Sequence, residues 1–352
     1  MSQTTGGCAI KATKWKDNRK SVFSFSFDDG YVSQYTNARK ILNKHGFKGT
    51  IFIVPNWTSE ETGKSIYHER NMGIGSWPQF IEMFAEGHEL ASHTLNHQDL
   101  TTLEIGGKDQ EGTLIQELEE CKKIIEERTN APCFTHGAPY GRENDTIKKI
   151  TSEIFEFNRG VPSSISGYAL ILPVFDRQAK FDDMKFLRTY MRKVEKMIKK
   201  GHWTVLVTHE VLHFSKIELN KQFANITGTS IEWFSAFCDR IQALSDQKIL
   251  WVDTIGHVAR YIKERDNLDC KIVFQSDSTI DIALDTSLDH ALYDYPLTLD
   301  ITLPGGWKTV ELRHTAKENL EFKYTNEEPT VIRVNVVPDG KVLCLNNNSL
   351  DL

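Results

Sequence analysis

Three short segments, far apart in the chain, carry side chains that together suit hydrolysis at a metal ion. They are Ser26-Phe27-Asp28-Asp29-Gly30, Ser92-His93-Thr94-Leu95-Asn96-His97 and Thr208-His209. Asp29, His93 and His97 make a set of two histidines and one carboxylate, which leaves positions on a divalent metal open for water and substrate oxygens. Asp28 is then left as a general base and His209 as a general acid. The residue types predict a one-metal hydrolytic site.

The composition is that of an ordinary globular chain. Its 352 residues are 39% hydrophobic and 26% charged, which is enough for two domains with cores of their own. The net charge of -6 indicates no basic surface for phosphate backbones, so nucleic acid is not an expected partner. No apolar run approaches the roughly 20 residues of a transmembrane helix. The cysteines are scattered without a C-x-x-C pair, which favours buried thiols over a zinc or redox motif.

The first three quarters of the chain alternate short apolar runs with amphipathic helical patterns. This alternation is typical of β/α units wound on a parallel sheet or barrel. β-branched and aromatic runs predict strands at 22–27, 50–54, 89–92 and 204–208. Apolar residues spaced three and four apart predict helices at 35–44, 77–86, 112–128, 182–200, 231–245 and 254–265.

The pattern changes at about residue 267 to period-two segments separated by turn residues. The segments are 271–275, 279–284, 297–303, 310–313, 320–324, 331–337 and 341–345. About seven short strands in such a length predict a small immunoglobulin-like β-sandwich. We therefore divide the chain into a lead-in at 1–19, a barrel at 20–266 and a β-sandwich accessory domain at 267–352.

The candidate site residues all follow predicted strands. Asp28 and Asp29 follow the first, His93 follows the strand at 89–92, and His209 follows the strand at 204–208. Active sites of α/β barrels lie at the carboxyl ends of the strands, because the loops there converge on one mouth. Gly30 supplies the turn that lets two adjacent aspartates serve one site.

These segments resemble the motifs of the polysaccharide deacetylases, carbohydrate esterase family four, whose shared unit is the NodB homology domain. Ser26 to Gly30 resembles the family's T-F-D-D-G, and the pair His93 and His97 matches H-[ST]-x-x-H. Ala138-Pro139-Tyr140-Gly141 matches most of R-x-P-Y-G, and Val207-Thr208-His209 resembles L-x-H. The resemblance covers roughly residues 20 to 265.

The resemblance implies an α/β fold, a distorted (β/α) barrel of the polysaccharide deacetylase type, followed here by the β-sandwich. It implies hydrolysis of N- or O-acetyl groups on a poly- or oligosaccharide, and a periplasmic or secreted location. Asp28 is the implied base, and Asp29 is the carboxylate of a single divalent metal site, for which zinc is expected first and nickel, cobalt or iron also suit. The backbone N–H of Tyr140 is the implied oxyanion donor, and Pro139 and Tyr140 would contact the substrate. The oligomeric state is left open.

Two departures from the family pattern concern the surroundings of the base. The third-motif arginine, which orients the base, falls on Gly137, and the fourth motif is not recognisable between 160 and 186. We expect a replacement cation at His136, which neighbours the vacated position, or else at Arg159. The remaining stand-ins are Asp176 for the fourth-motif carboxylate and Phe175 or Trp57 for the apolar wall of the acetyl pocket.

Two alternatives belong to other functional classes. His209-Glu210-Val211-Leu212-His213 spells H-E-x-x-H, the zinc metalloprotease signature, with Glu232 as a possible third ligand. That signature requires both histidines on one helix, whereas His209 follows a β-branched strand run. The other alternative is a non-catalytic carbohydrate-binding barrel, which the missing arginine would suit.

Overall fold

The computed structural model of the chain describes residues 2–5, 7–61, 73–160, 167–171, 183–213, 228–307, 309–314, 319–326 and 330–347. The chain divides into two compact units, one of Lys20–Gly256 and the other of Met1–Arg19 with His257–Leu352. Residues 1–19, expected as a lead-in segment, thus group with the C-terminal residues. None of the described helices is long and apolar enough to cross a membrane.

The strands and α-helices are numbered here in chain order over the described residues. The strands are β1 (Ser2–Thr5), β2 (Cys8–Ala12), β3 (Ser21–Phe27), β4 (Gly49–Ile53), β5 (Glu89–Ser92), β6 (Thr135–His136), β7 (Phe157–Asn158), β8 (Gly167–Ile171), β9 (Trp203–Thr208), β10 (Glu210–Leu212), β11 (Gly228–Ser230), β12 (Leu250–Val252), β13 (Leu268–Gln275), β14 (Thr279–Thr286), β15 (Leu297–Thr302), β16 (Val310–His314), β17 (Phe322–Asn326), β18 (Val331–Val336) and β19 (Val342–Asn347). The helices are α1 (Arg39–Lys44), α2 (Trp77–Ala85), α3 (Leu114–Thr129), α4 (Asp145–Ile154), α5 (Asp183–Lys200), α6 (Ile231–Asp246) and α7 (Ile255–Asp266).

The larger unit is built on one parallel sheet. Its strand order is β7-β6-β5-β4-β3-β9-β8, with β12 pairing on β3 as well. Every residue of β3 is buried, as expected for a strand near the middle of a sheet that is covered on both faces. Phe23, Phe25 and Phe27 of β3 contact Phe234 and Phe237 of α6, which fixes that helix against the sheet.

The helix boundaries follow from local capping. Asn144 accepts a hydrogen bond from the N–H of Ile147 and starts α4, and Ser230 accepts one from the N–H of Trp233 and starts α6. Helix α3 ends at Thr129 and is followed by the C-cap residue Asn130, whose φ of 52° is left-handed. The six predicted helices are all present, although a π-helical turn at Gln34–Ala38 replaces the first part of the first one. Helix α4 was not predicted.

The smaller unit consists of two antiparallel sheets. Their strand orders are β1-β2-β15-β18-β17 and β13-β14-β19-β16. Burial alternates along the strands, so that Ile280, Ile282 and Leu284 of β14 lie inside while the residues between them are partly exposed. All seven predicted C-terminal strands are present. Strand β2 pairs with β15, so the first sheet also contains residues that precede the barrel in sequence.

The predicted fold class is confirmed. The larger unit is an α/β half-barrel, in which β7 and β8 form the two edges of the described sheet, and antiparallel sheets follow it.

Helix α7 carries a buried acid in the smaller unit. Glu264 is fully buried, and its Oε1 accepts a hydrogen bond from the N–H of Tyr295 at 3.0 Å. Burial raises the pKa of Glu264 to about 8, and the neighbouring charge of Asp294 adds to the increase. The folded state therefore keeps a proton that the unfolded state releases near pH 4.5. Stability that is fully present below that pH is lost as the pH rises towards 8.

We predict that Glu264→Gln, which copies the protonated acid, raises the melting temperature at pH 9 and changes it little at pH 4. Differential scanning calorimetry from pH 4 to 9 measures the effect. Asp277→Asn, at an exposed turn of the same unit, is the control and should not alter the pH dependence. Equal melting curves for Glu264→Gln and the wild type at pH 9 would show that Glu264 is not held protonated.

Candidate metal centre and active site

The ends of three parallel strands bring the candidate residues together. Strand β3 ends directly before Asp28, β5 directly before His93 and β9 directly before His209. Because β9, β3, β4 and β5 are consecutive parallel neighbours in the sheet, their carboxyl ends lie along one edge. Asp29 and Gly30 both have a φ of 71°, and this left-handed turn gives the two adjacent aspartates different surroundings.

Asp29, His93 and His97 form the cluster that suits a metal ion. Their ligand atoms all lie within 4.8 Å of one another. Asp29 Oδ1 is 3.3 Å from Nε2 of His93 and 3.2 Å from Nε2 of His97, and the three side chains are at most 11% exposed. Burial alone would raise the pKa of Asp29, but the nearby histidines lower it well below its ordinary value. The Asp29 carboxylate is therefore ionised.

The hydrogen bonds of His93 test whether this cluster suits a cation. Its Nδ1 lies 2.7 Å from the carbonyl oxygen of Gly137 and must donate to it, so in the neutral ring Nε2 carries a lone pair. That lone pair faces Asp29 Oδ1, which is buried and has no hydrogen-bond partner among the described residues. Two lone pairs this close repel each other unless a proton or a metal cation lies between them. The donor set therefore fits a divalent metal, with His93 oriented by Gly137.

The loop that carries both histidines is held by a buried acid that the sequence motifs do not include. Glu117 of α3 is 1% exposed, and its two carboxylate oxygens accept hydrogen bonds from the backbone N–H and the side-chain Nδ2 of Asn96, at 2.9 and 2.6 Å. Asn96 lies between Thr94 and His97, whose φ angles of 64° and 58° are unfavourable for side chains of this kind. Glu117 thus stabilises a strained loop.

Asp28 is bound by an arginine instead of a histidine. Arg159 Nη1 donates to Asp28 Oδ1 at 2.6 Å and Nη2 donates to Oδ2 at 2.9 Å, while Nη1 also donates to Ser26 Oγ. Both partners of the ion pair are less than 10% exposed. Burial would raise the pKa of Asp28, but the positive charge and the hydrogen bonds of Arg159 lower it below its ordinary value. Asp28 is thereby kept ionised.

Gly137 explains why the arginine comes from a different strand end. A Cβ at Gly137 would lie 2.8 Å from a ring carbon of Phe52 and 3.1 Å from Arg159 Nη2. The guanidinium carbon of Arg159 is 4.1 Å from the centre of the same ring. The space beside residue 137 is therefore filled by the Arg159 head group, which arrives from the end of β7.

The sequence analysis preferred His136 as the replacement cation, and the structure shows that this prediction is wrong. His136 is fully buried, its Nδ1 lies 3.2 Å from Ser92 Oγ, and its ring stacks on Phe155. Burial lowers the pKa of His136 to about 3, so the ring is neutral near pH 7. Arg159, the second candidate, is the residue that contacts Asp28.

His209 lies on the open side of the cluster. Its Nε2 is 3.7 Å from Asp29 Oδ2, and the side chain is 25% exposed. Gln34 connects its backbone to that of the first motif, since Gln34 Nε2 donates to the carbonyl oxygens of Asp28 at 2.6 Å and of His209 at 2.8 Å. No sequence motif indicates the role of this buried amide, which lies on a short π-helical turn.

The H-E-x-x-H alternative is wrong. Glu210–Leu212 forms strand β10, which pairs in parallel with β11. His209 and His213 therefore do not occupy one helix face, as a metalloprotease site requires. Glu232 lies in the first turn of α6.

The predicted substrate-contacting residues that the structure describes lie beside the cluster of Asp29, His93 and His97. The rings of Trp57 and Tyr140 are each 4.8 Å from the ring of His97. Pro139 is buried, whereas Tyr140 is 63% exposed and has a φ of 59°. The two other candidates, Phe175 and Asp176, lie outside the described residues.

Comparison with known proteins gives one family match. Residues 16–154 match the family described as polysaccharide deacetylase. A gellan lyase from a Bacillus species is 20% identical over 350 residues, which is 93% of this chain and 13% of that protein. A predicted polysaccharide deacetylase of Bacillus subtilis is 31% identical, covering 41% of this chain and 46% of that protein. A chitin deacetylase of Pestalotiopsis is 31% identical, covering 27% and 28%. The chain spans less than half the length of each of these relatives.

We predict that Arg159→Ala destabilises the protein by about 3 to 5 kcal/mol, because it leaves the charge of Asp28 buried without its partner. Urea unfolding measures the change. The control is Arg128→Ala, which removes an exposed arginine paired with Glu60 and should cost about 1 kcal/mol or less. Losses of the same size in both variants would contradict the role given to the buried pair.

We predict that Glu117→Gln weakens zinc binding by roughly 10- to 100-fold, the usual effect of removing a group that orients metal ligands. The amide keeps the size of the side chain but presents N–H groups to a donor on Asn96. Titration with a competing chelator measures the affinity. Glu120→Gln, on the exposed side of the same helix, is the matched control. Unchanged affinity in Glu117→Gln would show that the loop does not depend on this contact.

Proposed function

We propose that this protein is a metal-dependent hydrolase that removes acetyl groups from a poly- or oligosaccharide. The premise is that residues 16–154 belong to the polysaccharide deacetylase family. The observation that carries the proposal is the buried Oδ1 of Asp29, which lies 3.3 and 3.2 Å from Nε2 of His93 and His97 and accepts no hydrogen bond from the described residues. A separate, ionised carboxylate, Asp28, stands next to it. A ligand set and a base are thus adjacent but have different partners.

The proposed metal is a single divalent ion held by Asp29, His93 and His97. Zinc suits this N/O ligand set, as do nickel, cobalt and iron. When bound, such an ion polarises the acetyl carbonyl and makes a water molecule more acidic. The described residues of this site supply the proton transfers and the positioning.

Asp28 is proposed as the general base that takes a proton from the attacking water. Arg159 holds both of its oxygens, so the carboxylate keeps its charge and its direction without becoming a metal ligand. The backbone N–H of Tyr140 would stabilise the developing oxyanion. His209, the partly exposed residue of the site, would give a proton to the departing amine or alcohol as the bond to the acetyl carbon breaks.

The proposed substrate is an acetylated glycan, with N-acetyl and O-acetyl groups both compatible with the site. The names of the relatives, a chitin deacetylase and a gellan lyase, support a polysaccharide as the substrate class. We assign catalysis to residues 20–266 and an accessory role to 267–352. A periplasmic or secreted location belongs to the same proposal.

The non-catalytic carbohydrate-binding barrel accounts less well for the buried charges. Two adjacent aspartates and a guanidinium, all less than 10% exposed, cost folding free energy through desolvation. A barrel that only bound sugars would gain nothing from that cost. A hydrolase does, because the charges provide its base and its metal ligand.

We predict that Asp28→Asn keeps the metal but lowers acetate release by roughly 10²- to 10⁴-fold, the range for loss of a general base. Asp29→Asn should lose both the activity and most of the metal affinity. Acetate release from acetylated oligosaccharides and elemental analysis of the same samples measure the two effects. Removal of metal with a chelator should abolish acetate release, and zinc should restore it.

Asp145→Asn, at the exposed start of α4, is the control and should behave like the wild type. If Asp28→Asn lost the metal while Asp29→Asn kept it, the two aspartates would have each other's roles. Full activity after complete metal removal would contradict the proposed mechanism.

A further inference from the structure

The buried side chain of Gln34 joins the backbones of the proposed base and the proposed acid. Strands β3 and β9 pair in register up to Phe27 and Thr208, and the N–H of Asp28 still donates to the carbonyl oxygen of Thr208 at 3.0 Å. The next two carbonyl oxygens, those of Asp28 and His209, accept hydrogen bonds from Gln34 Nε2 at 2.6 and 2.8 Å. Because a carbonyl oxygen can only accept, this amide continues the connection between the two strands where their backbone pairing ends.

The π-helical turn at Gln34–Ala38 binds the segment around the proposed acid at further points. Ser33 Oγ accepts a hydrogen bond from the N–H of Val211 at 3.3 Å, and Asn37 Nδ2 donates to the carbonyl oxygen of Val211 at 2.8 Å. Residues 33, 34 and 37 are three and four positions apart, so they share one side of the turn. Such turns are rare and are frequent at functional sites. The turn fixes the backbone at His209 and again two residues later.

The place of the His209 backbone matters for proton transfer. His209 follows β9 and directly precedes β10, and its Nε2 is 3.7 Å from Asp29 Oδ2. A general acid must lie within hydrogen-bond reach of the atom that it protonates. A displacement of about 1 Å can therefore lower the rate by roughly 100-fold. The two bonds from Gln34 hold the backbone of the proposed acid at a fixed distance from that of the proposed base, Asp28.

We propose that Gln34, with its π-helical turn, is a positioning residue that keeps His209 where its imidazolium can give a proton to the departing amine or alcohol. The proposal rests on the proposed function. In this step the bond between the acetyl carbon and the departing nitrogen or oxygen breaks, and the electron pair stays on the departing atom. That atom takes the imidazolium proton, and a neutral imidazole is left.

The test compares two substrates that differ in their need for a proton. The first is N-acetylglucosamine pentamer or acetylated xylotetraose, whichever the wild type hydrolyses faster, since the departing group of either must be protonated. The second is 4-nitrophenyl acetate, from which 4-nitrophenolate leaves without a proton. Gln34→Met keeps the length of the side chain and removes its donors. We expect it to lower kcat on the oligomer by roughly 10- to 100-fold, with little change in zinc affinity or in kcat on 4-nitrophenyl acetate.

Three further variants separate positioning from stability. Gln79→Met removes another buried amide, whose Oε1 accepts hydrogen bonds from the N–H and the hydroxyl of Ser76, and it should leave the ratio of the two rates unchanged. In a His209→Ala background, Gln34→Met should cause no further loss on the oligomer, because the group that it positions is gone. Asn37→Ala should show a smaller difference between the substrates, and it replaces Gln34→Met if that variant does not fold.

Three results would overturn the proposal. They are an unchanged kcat on the oligomer in Gln34→Met, an equal loss on both substrates, and the full further loss in the His209→Ala background. If the wild type released no acetate from either oligomer, the proposed function would have failed instead. Crystal structures of the wild type and Gln34→Met would then decide. The proposal expects His209 Nε2 to move away from Asp29 Oδ2 in the variant, and an unmoved ring would exclude it.

Discussion

The buried ion pair between Arg159 and Asp28 is the interaction on which the arrangement of the site depends. Two adjacent carboxylates at the end of one strand would repel each other, and burial would drive at least one of them to hold a proton. Arg159 binds both oxygens of Asp28, and the histidines face Asp29. Each acid therefore has its own source of positive charge. The proposed base and the proposed metal ligand can then be neighbours without exchanging roles.

Several other features follow from where that arginine stands. The guanidinium lies against Phe52 and fills the space next to Gly137, so a side chain at residue 137 would displace it. The carbonyl oxygen of Gly137 in turn orients His93. Gly137, whose missing side chain leaves space for Arg159, thus also sets the tautomer of His93, a proposed metal ligand. A change at Gly137 should affect both the proposed base and the proposed metal site.

The parts of this account that the sequence predicted depend on local patterns. Strand β3 and six of the seven described helices were recognisable from their residue patterns, and the proposed ligand set was recognisable because its residues lie in short motifs that follow strands. His136 was preferred over Arg159 because it neighbours Gly137 in sequence, whereas the contact with Asp28 is made across the sheet from the end of β7. Glu117 and Gln34 were missed for the same reason, since nothing in their own segments indicates the distant loops that they bind. Strands β1 and β2 were missed because their partner β15 follows them by nearly 300 residues.

The most direct test of the central claim is a crystal structure of the zinc-loaded protein. The claim is that Asp29, His93 and His97 bind the metal while Asp28 stays on Arg159. The expected result is one zinc ion at about 2.0 to 2.2 Å from one oxygen of Asp29 and the Nε2 atoms of both histidines, with both oxygens of Asp28 still bonded to the guanidinium. A zinc ion bound by Asp28, or bound away from the two histidines, would contradict the account.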